Sequence, residues 1–275
     1  MMKATQKLTG IKSMVTQAFN IDALCLCLCP SSKSLAHAAA QSVIQYLQQI
    51  LSQQQTATLV LATGNSQIEL LDILAATAEI DWSRIILFHL DEFLGIEAHE
   101  SASFRYFLQE RLLKQINPQH FYGIQGEAAE PLAECDRYTH LLTQHPIDLC
   151  FLGIGHNGHL AFNEPGVANF NDPYRVKIVK LAQQTRLTGV EQGYFPSLAR
   201  VPQYAYTLTL STILEAKKIV CLAFGKSKAK IVKEMLTGTI NSSCPASGLR
   251  LHPHTTLFLD RDAASELDLS VFGKE

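Results

Sequence analysis

Short apolar runs, most of them continuous rather than alternating, recur along the chain from about Ala23 onward. Between them lie longer stretches whose apolar residues fall three and four apart. The runs predict strands at Leu24–Cys29, Thr58–Ala62, Arg84–Leu90, Asp148–Leu152, Tyr206–Leu210, Lys218–Phe224 and Thr256–Leu259, and unbroken apolarity is what a strand covered on both faces presents. The spacing in between predicts helices over Leu35–Leu51, Gln67–Ala78, Ser103–Lys114, Pro131–Thr143 and Ser227–Leu236; in the second, Ile68, Leu71, Leu74, Ala75 and Ala78 form the stripe that packs on a sheet. Gln53, Gln54 and Gln55 read as a loop. The alternation predicts an α/β fold with a mostly parallel sheet. No repeat or linker interrupts the 275 residues, so one domain, 1–275, is expected.

Composition narrows the partners. A hydrophobic content of 47% supports a large core, while a formal net charge of −2 with scattered Lys and Arg gives no basic stripe, so no nucleic-acid partner is expected. No run approaches the roughly 20 apolar residues of a membrane span. Met1 to Phe19 carry Lys3, Lys7 and Lys12 and no apolar leader, so a cytoplasmic location is expected. The seven cysteines fit a reducing compartment: Cys25, Cys27 and Cys29 alternate as one strand face would present them and read as small buried hydrophobes rather than a disulfide framework. One strand cannot wrap three thiols around a tetrahedral ion, so no metal is expected there.

The polar clusters follow the apolar runs, as the ligand-binding ends of an open parallel sheet should. Thr63-Gly64-Asn65-Ser66 leads from a strand into a helix, with Ser66 and Glu69 spaced as a capping box. Such a start offers backbone N–H groups to an anion, but it also suits a plain helix start. Asp91-Glu92 ends another strand, and adjacent side chains in extended chain point opposite ways, so one acid can face a site while the other serves structure. A partly buried carboxylate titrates above its usual range and suits a base acting on carbon beside a carbonyl.

Gly153-Ile154-Gly155-His156-Asn157-Gly158 satisfies the dinucleotide glycine pattern, with Asp172 as a candidate ribose acid. That reading fails because Asn163-Glu164-Pro165-Gly166 stops any helix within about two turns. His156 and His159 lack companions at zinc spacing. His159 with Glu164 reads instead as an acid/base pair in which the carboxylate orients the ring. Gly225-Lys226-Ser227-Lys228 is a further strand, Gly turn and helix start, where a Lys can reach a phosphate. Cys244 to Pro253, with Arg250 and His252, reads as wall and packing.

Together, Ala62-Thr63-Gly64, Leu90-Asp91-Glu92, Gly153 to His159 with Phe162-Asn163-Glu164-Pro165, and Ser247 to Pro253 resemble the glucosamine-6-phosphate deaminase/isomerase family, which is grouped with the 6-phosphogluconolactonases. The resemblance spans Leu61 to Asp260 and implies a three-layer αβα sandwich on a modified Rossmann-like sheet. It implies hexosamine 6-phosphate isomerisation with ammonia release and no cofactor. A small sugar phosphate is the partner, and a homo-oligomer is left open.

It also implies roles: Asp91 as the base at C2, His159 as the ring-opening acid/base, Glu164 as its partner, and Asn157 where many members have Asp. Thr63, Gly64, Asn65, Ser66 and Lys228 match the phosphate site. Many deaminases carry a phosphate-binding Arg before an aromatic pair, whereas this chain reads Glu191-Gln192-Gly193-Tyr194-Phe195. Either Arg186 substitutes or the phosphate is held differently. With Asn in place of Asp at 157, His159 is expected to lean more on Glu164. The Asn-Gly-His loop and this Gln-bearing segment also resemble the galactosamine-6-phosphate branch, leaving the epimer open. A lactonase and a non-catalytic sugar-phosphate sensor are the remaining alternatives.

Overall fold

The computed structural model describes residues 14–274; the N-terminal lysines behind part of the leader expectation lie outside them. A nine-stranded sheet runs, edge to edge, through β12 (Gly273–Lys274), β1 (Gln17–Ile21), β2 (Leu24–Cys29), β11 (Thr255–Asp260), β10 (Ile219–Ala223), β7 (Leu149–Gly153), β3 (Ala57–Leu61), β4 (Ile85–His89) and β6 (His120–Phe121). From β2 to β6 every neighbouring pair is parallel; β1 and β12 add an antiparallel edge. Every residue of β3, β4 and β10 is buried, so both faces of the sheet are covered, the condition that makes a parallel sheet stable.

The cover is helical: α1 (Ser32–Leu51) packs across β2, β11, β10 and β3 and meets α2 (Ile68–Ala76). α4 (Pro131–Gln144) anchors Tyr138, whose hydroxyl accepts from the His89 N–H at 2.9 Å and clamps the end of β4. The short helix α6 (Leu210–Leu214) precedes β10, and α7 (Ala229–Thr237) follows it with Ile231, Val232, Met235 and Leu236 buried. The predicted helix over Ser103–Lys114 is α3 (Phe104–Leu108) continued by a wider π-helical turn over Gln109–Leu113. Six of the seven cysteines are buried and Cys25 is half-buried, with no disulfide among the described residues. Among those residues no helix is long and apolar enough to cross a membrane.

The segment predicted at Tyr206–Leu210 is a strand, β9 (Tyr204–Leu208), but not of the parallel sheet. It lies between β5 (Asp91–Phe93) and β8 (Val176–Lys180) in a small antiparallel sheet. Its apolar run has a physical reason: Tyr206 and Leu208 enter the main core, while Ala205 joins a second cluster with Phe93, Phe162, Val179, Leu181 and Phe195. Both faces are buried, as in a central strand. This second cluster carries α5 (Gln183–Glu191), with Val190 and Tyr194 packed against it.

Candidate active site

The carboxyl ends of four neighbouring strands, β10, β7, β3 and β4, open onto one cavity of about 520 Å³. Two of its walls repeat one construction. After β3 the chain turns at Gly64 (φ 103°) through a 3₁₀ turn, Asn65–Gln67, into α2. After β10 it turns at Gly225 (φ 83°) through Lys226–Lys228 into α7. A positive φ of this size is the reason for glycine at both places. Thr63, Gly64, Asn65 and Ser66 of the first turn and Ser227 and Lys228 of the second line the cavity.

The capping box expected of Ser66 and Glu69 does not form. Ser66 Oγ accepts instead from Gln67 Nε2 at 2.9 Å, and the α-helix proper starts at Ile68. Gln67 Nε2 also donates to the Leu152 carbonyl at 3.2 Å, tying the turn to β7. Asp260 receives the Gly225 N–H at 3.0 and 3.1 Å and fixes the other turn. Lys228 Nζ donates to the Ile154 carbonyl at 2.7 Å, and burial holds its ammonium below the usual lysine range. This wall of the cavity therefore presents a desolvated cation beside a helix start, a combination suited to an anion.

Asp91 and Glu92 divide as adjacent residues of a strand must. Glu92 is fully buried and accepts from Phe93 N–H (3.0 Å), Phe104 N–H (3.0 Å), Ser103 Oγ (2.8 Å) and Arg105 N–H (3.1 Å), holding the start of α3. Asp91, 7% exposed, is on the cavity wall. Burial, and after it the Glu92 charge, raise its carboxyl well above the usual range.

The imidazole sits on the loop after β7. A Cβ at Gly155 would lie 2.2 Å from the His159 ring, so only glycine leaves room for it. Asn157 Oδ1 accepts from the His159 backbone N–H at 3.2 Å and faces ring Nδ1 at 2.7 Å. The backbone donor identifies that atom as the amide oxygen, which places the ring proton on Nδ1 and leaves Nε2 as an acceptor. Burial, helped by His156 and Lys228, pushes the His159 pKa down to about 3, so the ring is neutral. Glu164 stands behind it, Oε1 at 4.0 Å from Nδ1, and its oxygens are taken by the Ala182 N–H (2.8 Å) and the Thr185 hydroxyl. The direct hydrogen bond at the ring is thus to Asn157, and Glu164, its carboxyl also held by α5, stands beside it as the carboxylate neighbour.

Arg186 is not brought to the cavity. Its Nη2 donates to the Leu198 and Val201 carbonyls at 2.8 and 2.9 Å, and the side chain braces the segment after α5. Asp91, His159, Thr63, Gly64, Asn65, Ser66 and Lys228 all line the one cavity, with Asn157 and Glu164 supporting His159 from behind. Sequence reading missed Thr185, Thr188 and Gly189 of α5 and the rings of Phe93, Phe104 and Phe162 on the remaining wall, whereas Gln192 and Tyr194 belong to the Glu191–Phe195 segment that the resemblance had placed near the phosphate. Most of α5 is exposed or half-buried, so no apolar stripe announces it.

The family described as glucosamine-6-phosphate isomerases/6-phosphogluconolactonase matches residues 30–258. The chain belongs to this family. Within it, a glucosamine-6-phosphate deaminase of Listeria monocytogenes serotype 4a (strain HCC23) is 36% identical over 84% of this chain and 96% of its own length. One of Bacillus thuringiensis (strain Al Hakam) is 34% identical over 82% and 84%. A solved monomeric glucosamine-6-phosphate deaminase superposes with a TM-score of 0.81 at 34% identity, covering 88% of this chain and 99% of that one. The 6-phosphogluconolactonase of Thermotoga maritima, 19% identical with a TM-score of 0.69 over 86% and 98%, shares the fold.

Proposed function

We propose that this family member acts in the cytoplasm on a hexosamine 6-phosphate, opening the ring, isomerising the aldose to the ketose and releasing ammonia. The observation that carries the reading is the placing of Asp91, buried and raised in pKa, and of neutral His159 on one cavity whose walls include two glycine turns into helix starts, one of them carrying Lys228. The names of the 34–36% identical relatives favour deamination over lactone hydrolysis.

In this reading the phosphate binds at Thr63 to Ser66 with Ser227 and Lys228, and its binding energy positions the reacting carbons. His159 Nε2 takes the proton of the C1 hydroxyl and delivers a proton to the ring oxygen, giving the open aldehyde. Asn157 keeps the tautomer, and the Glu164 anion at 4.0 Å opposes the transient positive charge on the ring. Asp91 then removes the C2 proton; the C2–H electrons form the C1=C2 bond, and the C1 carbonyl oxygen takes up a proton released by the substrate's C2 ammonium group, giving an enolamine. The same proton returns to C1, leaving an imine at C2, which water hydrolyses to the ketone and ammonia. Acid, base and water suffice for each step.

The test is ammonia release from glucosamine 6-phosphate and galactosamine 6-phosphate, run beside hydrolysis of 6-phosphogluconolactone. Ammonia from a hexosamine 6-phosphate with no lactone hydrolysis is the expected result, and the better epimer names the substrate. Lactone hydrolysis without ammonia would replace the reading with that of a lactonase. Tight binding without turnover of any of the three would make the chain a sensor.

A further inference from the structure

Glu164 is 3% exposed and faces two neighbourhoods at once. Its Oε1 lies 4.0 Å from His159 Nδ1, and the same oxygen accepts from the Thr185 hydroxyl, while Oε2 accepts from the Ala182 N–H at 2.8 Å. Both donors belong to the start of α5: Ala182 is its N-cap residue and Thr185 lies in its first turn. Thr185 also lines the cavity together with Thr188 and Gly189 of the same helix. One side chain therefore touches the cavity, the covering helix and the carboxylate behind the imidazole.

We propose that Thr185 is a positioning residue for ring opening, its hydroxyl aiming the Glu164 carboxylate at His159 while α5 is seated over the cavity. The inference rests on the ring-opening role given to His159 above. Asn157 is neutral, so it orients the ring without offsetting a positive charge on it. That task falls to Glu164, and its effect depends on distance and on exclusion of water. A carboxylate with each oxygen on a fixed donor holds one orientation; without the hydroxyl, Oε1 is free to turn towards the cavity and its water. Because the hydroxyl comes from α5, an element that lines the cavity also supports the charge-bearing step.

Thr185→Val keeps the shape of the side chain and removes the donor, and Thr185→Ser keeps the donor. The valine variant should lose about tenfold in kcat on the cyclic hexosamine 6-phosphate, the order expected for one lost hydrogen bond to a charged group, with little change in KM. An analogue methylated on the C5 oxygen, which cannot close to the pyranose, should be turned over as by the wild type, and Thr185→Ser should restore the cyclic rate. Equal losses on both substrates, or a wild-type rate for Thr185→Val, would overturn the proposal. A readout that needs no turnover is the protonation midpoint of the His159 ring followed by NMR, which should fall in Thr185→Val and recover in Thr185→Ser; an unchanged midpoint also overturns it. If the wild type releases no ammonia from any hexosamine 6-phosphate, the proposed function fails while the midpoint still decides whether Thr185 acts on His159.

Discussion

Burial and the adjacent Glu92 anion both favour the protonated form of the Asp91 carboxyl, with two measurable consequences. The base works only when ionised, so kcat/KM should decline on the acid side through a pKa above the usual carboxylate range. Because the folded state raises this pKa, the group's contribution to stability is full below the unfolded value of about 3.9 and is lost as pH rises through the folded value. Asp91→Asn should therefore abolish turnover and raise Tm at neutral pH, with the gain in Tm shrinking as the solution is acidified. Calorimetry at two pH values checks it, and a lower Tm at neutral pH would contradict it. The partition between the two acids was legible, since neighbours in a strand face opposite ways. The four donors that claim Glu92 come from Phe93 and from residues 103–105, and nothing local in the sequence announces the last three. Gly155→Ala places a methyl where the His159 ring lies, and kcat should fall by at least about a hundredfold, since a small misplacement of a reacting group costs on that order.

The strand-to-helix turns after β3 and β10 were readable as elements because a glycine follows each apolar run and a helical stripe follows each glycine. Their chemistry differs: the first presents hydroxyl and backbone groups to the cavity, the second adds a charge. Lys228→Met should raise KM for the sugar phosphate about 10- to 100-fold, as loss of a hydrogen bond of 1.5–3 kcal/mol to a charged group implies, and should leave kcat closer to the wild-type value; steady-state kinetics separate the two. The ladder of β8, β9 and β5 was harder to read. β9 looks like a parallel strand because two cores bury its two faces, and β5 is three residues long. α5 has little apolar face to read, so the residues it brings to the cavity, Thr185 among them, were invisible until the chain was folded.

At the scale of the molecule, the alternation of apolar runs and amphipathic stretches was enough for the α/β class, because a sheet buried on both faces leaves a coarse, robust pattern. The order of strands was not legible from it. That order places β10, β7, β3 and β4 side by side, bringing Lys228, His159, Ser66 and Asp91, scattered over more than half the sequence, to one cavity. The proposed reaction turns on what a single buried base does with one proton. A hexosamine 6-phosphate carrying deuterium at C2, analysed by mass spectrometry and NMR after conversion, measures this directly. With Asp91 7% exposed, a substantial share of the label should appear on C1 of the ketose product. Ammonia release with no deuterium on C1 of the ketose would contradict the account.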